Sequence, residues 1–124
     1  RLGELPLDVT DLISVERLWL PANQLTTLPD ELVNLSNLTD LYLTYNEFEV
    51  LPAVIPQLRS LQKLSLNRNH LTSLPSEIGQ LDALDALWLS RNQLTSLPPE
   101  IGQLTGIRLR HRRLRLSNKG QRLF

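Results

Sequence analysis

Residues 61–83 read LQKLSLNRNHLTSLPSEIGQLDA and residues 84–106 read LDALWLSRNQLTSLPPEIGQLTG, so one pattern returns after 23 residues. Two earlier copies, at residues 15–37 and 38–60, keep the same spacing of Leu, Asn and Pro. Leu accounts for 31 of the 124 residues, far above its usual share in globular proteins. Four copies of one supersecondary unit therefore decide the fold, because such units bury their apolar faces by stacking.

Leucines alternate with other residues at the start of each repeat, which is typical of a β-strand with one buried face. Successive strands are predicted to pair side by side as a parallel sheet. The inward side chains are predicted to be Leu18 and Leu20, Leu41 and Leu43, Leu64 and Leu66, and Leu87 and Leu89.

An asparagine follows each strand, where the turning chain would otherwise bury main-chain N–H and C=O groups without partners. The amide side chain offers both donors and an acceptor to such groups. We expect these four residues to form a ladder between neighbouring coils: Asn23, Asn46, Asn69 and Asn92.

The return limb of each repeat opens with Leu-Pro, and acidic residues follow soon after in three of the four copies. Proline and negative charge both favour the start of a helix, so short helical turns are predicted on this side. Repeat 2 differs, because Pro56 stands where repeats 3 and 4 have Gly79 and Gly102. A proline inside the turn predicts irregular structure over residues 52–58.

With LxxLxLxxNxL followed by LPxxIxxL, the four copies resemble the leucine-rich-repeat family in its 23-residue bacterial or plant-intracellular-like variety. The resemblance covers residues 1–106. It implies an α/β solenoid: a right-handed superhelix with a parallel β-sheet on its concave side and short helical or irregular turns on its convex side.

Both ends of the array depart from the pattern. Residues 1–14 continue it backwards as a partial repeat, which predicts either a piece of a longer array or a natural N-terminal cap. Residues 107–124 form a degenerate basic cap or tail, in which a strand over 107–112 is still expected. Six Lys/Arg and 13 Asp/Glu make residues 1–106 acidic, whereas residues 107–124 hold seven Lys/Arg and no acid. Weak self-association through the C-terminal coil is a further expectation.

Outward residues of the strands define the predicted concave face, and both Trp and both Tyr of the chain lie on it. Aromatic side chains gathered on an open surface indicate an interaction site, although they could also serve only to cover the sheet. Trp19 and Tyr42 are expected to be neighbours, and Ser65 is expected to leave a notch between Tyr42 and Trp88. We predict that a protein partner is contacted by Trp19, Tyr42, Tyr45, Trp88, Arg17, Asp40, Lys63, Arg68 and Arg91. Arg17, Asp40 and Lys63 alternate in charge.

Catalytic and metal motifs are missing from the sequence. There is no Cys, the two histidines are isolated, and no nucleophile or phosphate-binding motif occurs. We therefore expect no enzyme activity, no cofactor and no metal site. No apolar run is long enough to span a membrane, and the basic tail lacks the interleaved aromatics of specific nucleic-acid binders.

The function predicted from the sequence is that of a protein–protein interaction module. One alternative is a substrate-recognition fragment of a larger enzyme, since similar repeats occur in effector ubiquitin ligases. Another is a structural or truncated repeat with no partner. The expected location is the cytoplasm, or a host cell into which the protein is delivered as an effector.

Overall fold

The computed structural model of the chain describes residues 14–104 in full and the backbone of residues 108–110. The predicted N-terminal partial repeat, apart from Ser14, lies outside the described residues. So do the C-terminal tail, apart from the backbone of 108–110, and the self-association expected of it.

Five short strands form one parallel sheet in chain order. They are β1 (Arg17–Trp19), β2 (Asp40–Tyr42), β3 (Lys63–Ser65), β4 (Ala86–Trp88) and β5 (Arg108–Arg110). The first four pair with a constant offset of 23 residues, so that Leu18, Leu41, Leu64 and Leu87 stand in one row. The sequence prediction of a parallel sheet with this row of leucines is confirmed.

The strand β5 pairs with β4 at an offset of 22 residues, one fewer than the repeat length. An offset of 23 would have set Arg110 beside Leu87, whereas the observed register sets Leu109 there. Because a slip of one residue exchanges the two faces of a strand, the shorter step keeps a leucine in the row.

Short 3-10 turns lie on the other side of each coil. They span Asp30–Asn34, Ile55–Gln57, Ser76–Gln80 and Pro99–Gln103. Three of them follow a proline in extended conformation, and these three carry acidic residues in the first turn. In repeat 2 the turn is reduced to three residues around Pro56, which lacks the N–H group that a longer turn would use.

The core lies between the sheet and these turns. Leucines from every described coil are buried in it, and Phe48 fills the position that Leu25, Leu71 and Leu94 occupy in the other repeats. Leu18 and Leu20 are only partly buried at the N-terminal end of the described coils. The stacked core therefore holds the outward faces of β1–β4 in a fixed arrangement.

Candidate functional site

Three aromatic side chains form a continuous row across the outward face of the sheet, which we name the aromatic stack (Trp19, Tyr42 and Trp88). The ring centroids of Trp19 and Tyr42 lie 5.5 Å apart, and those of Tyr42 and Trp88 lie 6.4 Å apart. Both pairs are tilted, as preferred by aromatic quadrupoles. The expected contact of Trp19 with Tyr42 is confirmed, and Trp19 remains 70% exposed.

The prediction of a notch at Ser65 is wrong. Tyr42 and Trp88 contact each other across β3, and Ser65 is only 5% exposed. Strands on either side of β3 are about 10 Å apart, but two large rings can lean over a small side chain and bury apolar surface between them. The serine hydroxyl is itself engaged, because its Oγ lies 2.8 Å from Oγ1 of Thr44.

Asp40 lies beside the stack, two residues before Tyr42 on β2, and its carboxylate has partners within the protein. Its carboxylate accepts hydrogen bonds from the Tyr42 hydroxyl at 3.1 Å and from the Thr39 hydroxyl at 3.0 Å. Nε of Arg17 lies 3.5 Å from the same carboxylate, and Asp40 is only 8% exposed. The alternation of charge expected from Arg17, Asp40 and Lys63 is therefore not presented to solvent, because the negative member is covered and paired.

These surroundings change the pKa of the Tyr42 phenol. Burial raises the pKa of Tyr42 above its ordinary value, and the hydrogen bond to Asp40 and the carboxylate charge raise it further. The nearby Arg17 acts in the opposite direction. The phenol therefore keeps its proton, and with it the hydrogen bond to Asp40, throughout the neutral range.

A second group of predicted residues lies where the chain leaves the strands. Tyr45, Arg68 and Arg91 occupy equivalent positions, and each has a left-handed backbone with φ of 63°, 59° and 61°. Tyr45 is 61% exposed, and the guanidinium of Arg68 lies over its ring at 5.5 Å from the centroid. Because the left-handed region favours Gly, Asn or Asp, local backbone preference does not account for these large side chains.

Beside them is a surface depression of about 390 Å³. Its lining includes Arg68, His70 and Arg91, together with Tyr45 and the polar residues Asn69, Asn92 and Gln93. The sequence did not indicate this depression, because it arises from the stacking of turns that are 23 residues apart. The repeated left-handed turns give no sequence signal beyond the asparagine that follows each of them.

The asparagine side chains of the turns form hydrogen bonds between neighbouring coils. Oδ1 of Asn46 accepts from the main-chain N–H groups of Asn23 and Leu25, and Nδ2 of Asn46 donates to the carbonyl oxygen of Leu20 at 2.8 Å. Asn69 likewise accepts from the N–H of Phe48 and donates to the carbonyl of Leu43. Asn92 repeats the pattern one coil further on. These bonds fix the turns that carry Tyr45, Arg68 and Arg91.

The repeat and the parallel sheet agree with comparisons to known proteins. A family model described as two copies of leucine-rich repeats matches residues 59–106. A solved leucine-rich-repeat protein of Leptospira interrogans is 44% identical, with a TM-score of 0.81 over 94% of this chain. The chain is a leucine-rich-repeat protein.

Two further solved structures share the fold of this leucine-rich-repeat chain at lower identity. The leucine-rich-repeat domain of APL1 is 26% identical with a TM-score of 0.83, and a chain of the LRIM1/APL1C complex is 25% identical with a TM-score of 0.84. Each match covers 95% of this chain. The chain spans 30%, 33% and 23% of the Leptospira, APL1 and LRIM1/APL1C chains respectively. None of the curated proteins matches it.

The nine predicted contact residues thus fall into two neighbouring groups. The register brings Arg17, Asp40 and Lys63 into one row and aligns the aromatic stack with Ser65 in the next. Tyr45, Arg68 and Arg91 form the second group, at the turns. The family model that matches describes a repeat and no catalytic domain, and no helix of the described residues is long and apolar enough to cross a membrane.

Proposed function

We propose that this leucine-rich-repeat domain is a protein–protein interaction module that binds its partner on the concave face. The observation that carries the proposal is the aromatic stack: a row of three large rings in which Tyr42 contacts both tryptophans, with Trp19 left 70% exposed. The indole ring of Trp19 is left in water and adds nothing to the buried core. Exposed apolar clusters on a rigid scaffold are typical of interaction sites, and Trp and Tyr dominate binding hot spots.

The scaffold supports this function because it is preorganised. Tyr42, the central ring of the stack, is fixed by its hydrogen bond to Asp40 and contacts the ring on either side of it. The side chain of Tyr42 therefore has little freedom to lose when a partner binds, which favours affinity. The similar chain of the LRIM1/APL1C complex is itself part of a protein complex, which agrees with the proposal.

Affinity capture tests the proposal with a matched pair of variants. The first variant, Trp19→Ala/Trp88→Ala, removes two rings of the stack. The control, Val33→Ala/Val50→Ala, removes two apolar side chains that are exposed elsewhere on the surface, at 43% and 73%. Melting curves establish that all three proteins are folded.

We expect partner proteins to be retained by the wild type and by the valine variant, and retention by the tryptophan variant to fall at least tenfold. Loss of one hot-spot aromatic commonly costs 2 kcal/mol or more, hence the roughly tenfold minimum. Equal retention by the tryptophan variant and the control would contradict the proposal.

A further inference from the structure

The outward positions of β1–β4 and the left-handed turn positions after them carry four cations and one carboxylate. Arg17, Lys63, Arg68 and Arg91 are the cationic residues of this face, and Arg68 and Arg91 are exposed. The carboxylate on the described part of the face is that of Asp40, which is covered and already bonded to Tyr42 and Thr39. These positions therefore carry a net positive charge, although residues 1–106 as a whole carry an excess of acid.

Four acidic residues lie on the convex side. The first turns of the convex 3-10 segments hold Asp30 and Glu31, Glu77, and Glu100. The two sides of the coil stack thus differ in charge.

The depression of about 390 Å³ adds a specific place for a negative group. Arg68, His70 and Arg91 line it, and no carboxylate is among its lining residues. By contrast, the depressions of about 280 and 510 Å³ beside it include Glu47 and Glu49 respectively. Arg68 lies three residues after Ser65 in the sequence, and Arg91 lies three residues after Trp88. The depression therefore borders the aromatic stack.

From this arrangement we propose that the concave face binds an acidic segment of a protein partner. An apolar side chain of the segment packs on the aromatic stack, and a Glu or Asp side chain enters the depression between Arg68 and Arg91. A planar guanidinium pairs well with a carboxylate, and charge complementarity sets the orientation of a bound segment. This inference rests on the proposed function and adds the chemistry of the partner.

An acidic protein segment fits these charges better than a nucleic acid does. A long polyanion would have to approach a repeat body that holds 13 acids against six Lys/Arg. Nucleic-acid affinity depends on neutralising many phosphates at once. A short acidic segment needs only the local cations of the concave face.

Selection from a random twelve-residue peptide library displayed on phage tests the inference on the purified chain. Selected peptides are synthesised, and their affinities are measured by fluorescence anisotropy for the wild type and three variants. Arg91→Glu reverses one charge at the depression, and Arg59→Glu makes the same change at an exposed residue of the convex side. Trp19→Ala/Trp88→Ala reports on the stack, and a twelve-nucleotide DNA strand serves as the competing polyanion.

The expected peptides are rich in Asp and Glu around an apolar residue, and Arg91→Glu should weaken them about tenfold or more while Arg59→Glu leaves them unchanged. Peptides that need the tryptophans but carry no acidic excess would overturn this inference and leave the proposed function intact. Peptides that do not need the tryptophans, or no selected peptides, would overturn both. If DNA binds at physiological salt and Arg91→Glu abolishes that binding, the ligand of the concave face is a nucleic acid and not an acidic protein segment.

Discussion

The asparagine that follows each strand has a role that depends on both ends of its amide. In Asn69 the oxygen accepts from the N–H of Phe48, while the nitrogen donates to the carbonyl oxygens of Leu43 and Leu66. These groups are buried and belong to two different coils, so the side chain replaces the water that the turn excludes. Asp could not donate, and Ser could not reach both sides.

We predict that Asn69→Ala lowers the free energy of unfolding by about 3 kcal/mol, because it leaves buried main-chain groups without partners. Asn34→Ala is the control, since Asn34 is exposed at the end of a convex turn, and it should change the free energy by less than about 0.5 kcal/mol. Urea unfolding followed by circular dichroism measures both. A similar loss for the two variants would show that the ladder does not hold the coils together.

The conformation of single aromatic residues was harder to predict than their position. The pleat of each strand places Trp19, Tyr42 and Trp88 on one face, and this follows from the sequence because strand side chains alternate. The contact of Tyr42 with Trp88 over Ser65 does not follow, since it depends on rotamers chosen to bury the two rings together. The covering of Asp40 has the same origin, because its partners Thr39 and Tyr42 are set by local packing.

At the level of elements, periodicity predicted the strands and turns well. The 23-residue step fixed the register of β1–β4, because the same leucine positions return in each coil. It did not fix β5, where Arg110 stands 23 residues after Leu87 and the chain takes a step of 22 residues, which sets Leu109 beside Leu87. The depression beside Arg68 and Arg91 was also missed, because it belongs to the spacing between coils and not to any one coil.

The convex turns illustrate how a single residue type permits close stacking. Gly79 is buried in the turn of repeat 3, where an added Cβ would stand 2.8 Å from the main-chain oxygen of Glu100 and 2.6 Å from Oε1 of Gln103. Both contacts are shorter than real Cβ atoms show. The absence of a side chain at Gly79 therefore lets the turns of repeats 3 and 4 approach each other.

Gly79→Ala is accordingly expected to destabilise the protein by about 2 kcal/mol through overpacking against the next turn. Gly102→Ala makes the same chemical change at the equivalent position of repeat 4, where a Cβ would meet none of the described atoms within 4 Å. It should be neutral or slightly stabilising. Thermal unfolding of the two variants side by side checks this, and equal melting temperatures would contradict the proposed close packing.

For the whole molecule, stacking of like units produces two surfaces of different character. The convex side collects acids at the starts of its turns, while the concave side collects the aromatic stack and open cations. The core between them is built from buried leucines together with Phe48, Val54, Ile55 and Ile78, so the outward side chains of the strands lie outside it. The composition of the concave face is thus free to serve recognition, and we infer that it does so.

The two tryptophans provide the most direct test of this central claim, because the chain contains no others and both belong to the aromatic stack. Their indole N–H signals are resolved in a ¹H–¹⁵N correlation spectrum and can be followed while a captured partner is added, with binding measured by calorimetry in the same samples. The account predicts that both indole signals shift and saturate together with the binding isotherm. Saturating binding that leaves both signals unchanged would contradict it.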